Sequence, residues 1–269
     1  MNEPVDFSHP AGNAQALRQA AASRPGLVWA AWLTLALAVL GGLSELLSGP
    51  AYRLGWIGLW SGLLAIRWAA TAEAGVFVIA ALGALDASRK QMPRARAVFL
   101  LSAIIAALAV APPVFLWYQV QHLPRIHDVS TDTKTPPEYI AVLPLRSGVQ
   151  NSTVYDFKLA SLQAQAYPDV TPANLTATPA QAFQTALRVA RDMGWEIVDA
   201  NQTALRIEAT DTSLLFGFKD DVVIRINAGA SGSTIDLRSL SRVGGSDFGV
   251  NANRIRRFMA RLKAADSFH

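Results

Sequence analysis

The sequence predicts an α+β protein in two parts: three transmembrane helices, then a soluble domain whose antiparallel sheet packs on two main helices. Three observations predict it. Apolar residues crowd into the part before Tyr118, alternating apolar and polar residues fill positions 205–240, and two amphipathic helical patterns flank that stretch.

The composition sets the outer bounds. With 51% hydrophobic and 16% charged residues and a mean hydropathy of +0.24, the chain is too apolar for an ordinary soluble protein, in which about a quarter of residues are charged. A pI near 9.6 raises the question of nucleic acid or acidic lipid. From Gln119 onward, however, 16 Lys and Arg face 15 Asp and Glu, whereas eight face five before it. The basic balance is therefore a topology signal and not a nucleic-acid footprint. With no cysteine, neither disulfides nor thiolate chemistry are available.

Residues 1–26 are polar and Ala-rich, with a short helical run at 14–22 stopped by Pro25 and no convincing cleavage site after the first apolar run. They read as a cytoplasmic segment. The membrane domain covers 27–118. Its first span, 27–47 (LVWAAWLTLALAVLGGLSELL), is long enough for about 30 Å of hydrocarbon. Trp29 and Trp32 sit at its interface end, and Ser48-Gly49-Pro50 is expected to break it.

Residues 54–66 are apolar but short, and read as an interfacial or re-entrant segment. The second span is expected at 68–85. It contains Glu73, a carboxylate that marks a functional site unless it lies near the headgroups. Glu73 and the neighbouring Arg67 are the membrane candidates, able to meet another protein's helices. A third span at 97–118 is expected to be kinked or ended by Pro112-Pro113. Arg89, Lys90, Arg94 and Arg96 crowd the preceding loop, which the positive-inside rule places in the cytoplasm, as do Arg18 and Arg24 for the N-terminus. Three crossings then put residues 119–269 in the periplasm, behind a bacterial inner membrane.

Residues 119–145, rich in Pro, Thr and Asp, read as an extended linker, and 146–269 as the periplasmic domain. His127 and Asp128 invite a metal or catalytic reading. With four histidines in the chain, two of them near its ends, a His-rich metal site is not available, and local turn hydrogen bonds are expected instead. Residues 167–175 hold a short edge strand between prolines. Then Thr178, Pro179 and Gln181 spell a helix start with a capping box. Phe183, Ala186, Leu187, Ala190 and Met193 form its stripe, and Gly194 ends it.

Three to four strands follow, at 195–199, 204–211, 221–228 and 233–240, with a Gly-Ala-Ser-Gly-Ser hairpin before the last. Leu205, Ile207, Ala209, Val222, Ile224, Ile226, Ile235 and Leu237 point to the core. The other face carries Arg206, Glu208, Thr210, Asp221, Arg225, Asn227, Thr234, Asp236 and Arg238. Two readings of this checkerboard stand: a solvated face with surface ion pairs, or a binding face on which Arg225 and Arg238 hold an anion. Residues 241–253 join the sheet to a last helix. Ser246 or Asp247 caps it, Ile255, Phe258, Met259 and Leu262 face inward, and Arg254, Arg256, Arg257 and Arg261 point elsewhere. The Gly-rich junction lacks both the dinucleotide and the P-loop patterns, and Asp247 would repel a phosphate.

Several motifs resemble the domain-of-unknown-function family 1499: IHDVSTDT with the following TPP, MGWEIV, IEATDTSLLFGFKDDVVIRI, and IDLRSLSRVGGSDFGVNANRIRRF. The segment GPAYRLGWIGLWSGLLAIRWAA resembles the anchor of its multi-span bacterial subgroup. The resemblance implies no activity, substrate or cofactor. It makes Asp220, Asp221, Arg225, Arg238, Arg242, Asp247, Asn251 and Arg254 parts of the family's motifs. With Asp236, these residues from Asp221 onward are the candidate binding set for a lipid headgroup, a wall fragment or an envelope protein. No cofactor or metal is expected. The function class expected is a non-enzymatic envelope module; the alternative is an envelope hydrolase or transferase using Asp220, Asp221 or His127.

Overall fold

The computed structural model describes residues 24–229 and 232–266. The helical run at 14–22, Arg18, the terminal His9 and His269, and the centre of the hairpin loop lie outside the described residues. The chain divides into two compact units, Met1–Leu116 and Trp117–His269.

The first unit is built from three helices: α1 (Pro25–Arg53), α2 (Leu59–Arg89) and α3 (Pro93–His122), the last running on into the second unit. All three are long and apolar enough to cross a membrane. Most of their large side chains point outward, including Leu40, Leu46, Ile79, Leu82 and Leu108. Their packed seams are made of small residues: Ala31, Ala38, Ala80, Ala84, Ala87 and Ala106. That is the pattern for helices whose outer faces meet hydrocarbon and whose backbones approach closely. At one seam the Phe99 ring fills the space where Gly83 has no side chain; a Cβ there would sit 2.5 Å from the ring.

Three boundaries differ from the sequence expectation. Helix α1 does not stop at Ser48-Gly49-Pro50 but continues one turn to Arg53, with Pro50 inside. Proline removes one donor in a last turn that is already ending. Residues 59–66 are no separate interfacial segment; they are the first two turns of α2, because no breaker follows Gly58. Helix α3 carries Pro112 and Pro113 within it and ends at His122.

In the second unit the sheet order is β1-β6-β5-β4-β3, with all pairs antiparallel and β2 also on β6. The strands are β1 (Asp128–Ser130), β2 (Ala173–Leu175), β3 (Glu196–Asn201), β4 (Arg206–Thr212), β5 (Lys219–Gly229) and β6 (Gly232–Ser241). Strands β1 and β2 share one edge of β6, β1 against 238–240 and β2 against 233–235. The free edge of β1 is closed by Gln163 of a short helix, α4 (Lys158–Ala166). Its side-chain amide accepts from Ser130 N at 3.0 Å and donates to Ser130 O at 2.7 Å, as a neighbouring strand would.

One face of the sheet carries the core. Helices α5 (Pro179–Asp192) and α6 (Val250–Asp266) pack on it. They bury Phe183, Ala186, Ala190, Ile255, Phe258 and Leu262 against Ile207, Val222, Ile224, Ile235 and Leu237. The capping box of α5 forms as its sequence implies: Thr178 accepts from Gln181 N, and Gln181 Oε1 accepts from Thr178 N at 3.0 Å. Gly194, at φ +79°, turns the chain out of α5. Trp195 then folds back to donate to Ala190 O and stack on Phe258 at 5.4 Å.

Candidate functional site

The opposite face of the sheet is neither solvated nor open. Glu208, Thr210, Asp221, Asp236 and Arg238 are all buried there, beside Val223 and Leu240. Residues 131–157, which contain one 3-10 turn (Leu143–Arg146) and no strand, lie over them as a cover. Tyr139 and Val142 of the cover pack on Val223 and Leu240 as a second, small core. The region read as a linker is thus part of the domain. A segment without periodicity has backbone groups to satisfy, and the polar residues of the sheet satisfy them.

Four groups of contacts fasten the cover and its surroundings. Glu208, fully buried on β4, accepts from Ile140 N with both oxygens and from Val142 N, each at 3.0 Å. It acts as an acidic cap on a turn of a distant segment, and Arg206 Nε balances its charge at 2.8 Å. Arg238 on β6 makes a forked pair with Asp128 on β1, at 2.9 and 2.6 Å. It also donates to Pro137 O and Thr153 O of the cover, at 3.2 and 2.8 Å. Its guanidinium lies 5.0 Å from the Tyr139 ring and 5.2 Å from the Tyr155 ring, a cation held between two aromatic faces.

Asp221 on β5 receives Arg146 from the cover, Arg242 Nε and Nη2 at 2.9 and 2.8 Å, and Thr210 Oγ1 at 2.7 Å. Burial works to raise this carboxyl. The hydrogen bonds from Arg242, Thr210 and Arg146 outweigh it, so its pKa lies below the ordinary aspartate value of 3.8. Arg225 on β5 bridges Asp236 on β6 and Asp132 in the cover, with nitrogen–oxygen distances of 2.8 and 3.1 Å, and donates to Thr135 O at 2.9 Å.

Arg254, expected to point away from the core, is the correction on the last helix. It is buried, with Asp211 at 2.7 Å and Asp220 at 2.6 Å, and it meets Asn251 and Ser239. Asn251 in turn donates to His127 O and Ser241 Oγ, each at 3.0 Å. Asp247 caps α6, accepting from Gly249 N at 2.9 Å and Asn251 N at 2.7 Å. Burial raises its pKa, and those two amides only partly offset that. Ser246 accepts from Phe248 N instead.

The sequence candidates are thus brought together, but as partners of one another. The carboxylates an enzyme would draw on, Asp220 and Asp221, are engaged by arginines, and His127 contributes its backbone carbonyl. Among the described residues no three His, Asp or Glu side chains converge as a metal set. In the membrane unit, Arg67 is exposed and Glu73 is buried. Six residues apart, they lie on different faces of α2.

What remains accessible borders the cover. A pocket of about 520 Å³ opens between the cover and strands β4 and β5, lined by Lys134, Glu138, Ile140, Phe157, Arg206 and Arg225 among others. Arg206 and Arg225 are direct cross-strand partners. Their acids, Glu208 and Asp236, are almost wholly buried beneath them. Arg206 engages Glu208 and Asp199 through Nε and Nη2, so its Nη1 donors remain for a ligand. Phe157 is 62% exposed, and Ile140 52%, giving the mouth an apolar rim. Sequence reading missed Lys134, Arg206 and Phe157 as site residues. The one available signal was Arg206 itself, and its meeting with Arg225 depends on strand register.

A smaller pocket of about 360 Å³ lies on the other side of Pro136 and Glu138, against Tyr139, Tyr155, Phe157 and Arg238. The buried Tyr155 hydroxyl has no hydrogen-bond partner among the described residues. Burial, with the nearby Asp128 charge adding to it, pushes its pKa up to about 12.

Fold and site together define a class: a helical membrane unit joined to an α+β domain whose polar sheet face is closed by an irregular cover. The model of a family described as protein of unknown function, DUF1499, matches residues 128–262, half of the chain. The chain belongs to the DUF1499 family. The match begins at Asp128, the partner of Arg238, and ends at Leu262, the last buried residue of α6. A search of curated proteins found no match.

Titration of the buried acids sets an expected pH profile. Asp221 has a depressed folded pKa, so its contribution to stability is complete above the unfolded value near 3.8 and is lost as pH falls below it. Asp247 has a raised one, so protonating it on the way down from neutrality relieves an unfavourable buried charge. Denaturant midpoints of the full-length protein should therefore hold or rise from pH 7 towards 4 and fall steeply below about 3.8. A steady decline starting near neutrality would contradict the Asp221 network.

Proposed function

We propose that this is a non-enzymatic inner-membrane protein that presents its Trp117–His269 unit in the periplasm and binds an anionic amphiphile there, such as a lipid headgroup or a wall fragment. The orientation rests on the basic residues around the α2–α3 turn: Arg89 at the end of α2, Lys90 in the connection, and Arg94 and Arg96 in the first turn of α3. An odd number of crossings puts the C-terminal unit on the opposite side. The binding role rests on one observation. Lys134, Arg206 and Arg225 line a single pocket whose rim is the exposed, apolar Phe157 and Ile140. Cationic donors on one side and exposed apolar surface on the other suit a molecule with both an acidic and an apolar part. The pocket volume falls within the range of small-molecule sites, about 300–1,000 Å³.

The test separates the pocket from the fastenings. Lys134 and Phe157 line the pocket, and both are exposed. Lys134→Glu with Phe157→Asp should lower occupancy by a co-purified anionic molecule at least about tenfold, read by native mass spectrometry of full-length protein extracted from its own membrane. Stability should change by about 1 kcal/mol or less, because the one packed contact removed is the edge-on contact of the exposed Phe157 ring with Tyr155 at 5.2 Å. A wild-type protein that carries no such molecule, or a variant that carries it equally, would overturn the proposal.

A further inference from the structure

The membrane unit holds a second acid that the sequence reading passed over. Glu45 lies in the last third of α1, and Glu73 is the fifteenth of the 31 residues of α2, next to its midpoint. The helix begins nine residues earlier than expected, which is what brings Glu73 to its middle. The Glu73 side chain is 1% exposed and fills the notch left by Gly41 of α1, where any Cβ would collide with its carboxylate. Gly41 and Glu45 are four apart, so Glu45 stands one helical turn along the same face. Positions four apart on a helix stand about 5–6 Å from each other, so the Glu73 carboxylate in the Gly41 notch and the Glu45 side chain meet on one stretch of the α1–α2 seam.

Among the described residues no salt bridge involves Glu45 or Glu73; Lys90 pairs with Asp86 where α2 ends. Helix α3 packs at the same level, with Ala109 Cβ 4.0 Å from where a Gly42 Cβ would stand, and it carries no titratable side chain between Ala97 and Trp117. On the two acid-bearing helices the nearest bases are Arg53 of α1 and Arg67 of α2. They are eight and six residues away along their helices, about 12 and 9 Å. One oxygen of each acid, Glu45 Oε1 and Glu73 Oε2, is buried with no hydrogen-bond partner.

Two ionised carboxylates side by side in hydrocarbon, with no counter-charge, are too costly to persist. One proton eases both deficits: it removes a charge, and it gives one of the two acids a donor. We propose that Glu45 and Glu73 form an intramembrane proton-binding site, holding one proton between them at neutral pH. A carboxylate dyad sharing a proton is the known answer to like charges at short range, and the low-dielectric setting strengthens the shared hydrogen bond.

The measurement is infrared spectroscopy of the full-length protein reconstituted in neutral phospholipid vesicles, following the C=O stretch of a protonated carboxylic acid. At pH 7 the wild type should show one such band, shifted in D₂O and lost in E73Q. In E45Q, which leaves the Gly41 notch occupied by Glu73 and so guards against misfolding as the cause, the band should move in frequency, because the buried Glu73 keeps a proton that it no longer shares. Raising the pH should titrate it away in one step per protein. A wild type with no acid band at pH 7 overturns the proposal. So does a band present at pH 7 that disappears on adding sodium or potassium ions, which would make the dyad a cation site.

Discussion

Replacing Arg238 by alanine is expected to destabilise the sheet unit by about 3–5 kcal/mol, the range for leaving one partner of a buried ion pair uncompensated. Asp128 would remain buried with no cation, because its forked partner on the neighbouring strand is gone. Three further losses act in the same direction. Pro137 and Thr153 lose a donor, the stack between Tyr139 and Tyr155 loses its filling, and the β1–β6 ladder loses its side-chain clamp. Denaturation of the full-length protein, followed by hydrogen exchange of the sheet peptides, measures the effect. Replacing both partners, Asp128→Leu with Arg238→Met, should recover part of the loss, because the orphaned charge goes with its partner. If R238A is as stable as the wild type, the guanidinium is not the fastening that its geometry indicates.

Glu208→Ala should have the next largest effect, about 3 kcal/mol for charge-assisted hydrogen bonds to two amides and one guanidinium, summed at less than full additivity. The carboxylate is fully buried and reaches 66 to 68 residues back along the chain. Without it, Ile140 N and Val142 N lose their acceptor and Arg206 loses one of its two acids. The cover should detach locally before the sheet unfolds, since the core between the sheet and helices α5 and α6 does not include it. Arg206 also lines the pocket, so E208A should weaken binding as well as stability. That couples the fastening to the proposed site.

What the sequence made legible was everything written in local periodicity. The capping box at Thr178, the stop at Gly194 and the inward rows at Ile207, Val222 and Ile235 all appear as their spacing implies. The three apolar helices are legible from composition, although their ends are not: Pro50 and Pro112-Pro113 lie where the helix tolerates them. The cover was not legible. Residues 131–157 have no period, and what holds them is Glu208, Arg238, Asp221 and Arg225, each on a distant strand. The same residues looked like a solvated checkerboard because alternation reports which face a side chain takes, not what lies over that face. Arg254 was misplaced for a related reason. Its position on the helix says outward, but Asp211 and Asp220 wait there to bury it. Glu45 escaped notice inside an otherwise apolar run, and only the packing of Glu73 on Gly41 brings it into a pair.

Residues 131–157 form a closed cover on the polar face of the sheet, fastened at Ile140 and Val142 by Glu208. Hydrogen exchange of the full-length protein in its membrane mimic, read for the peptides around Ile140 and Val142 in the wild type and in E208A, tests this most directly. The account predicts slow exchange at these amides in the wild type and fast exchange in E208A, with strands β5 and β6 protected in both. Fast exchange at Ile140 and Val142 in the wild type would contradict it, leaving the polar face open and the arginines free to bind as a surface.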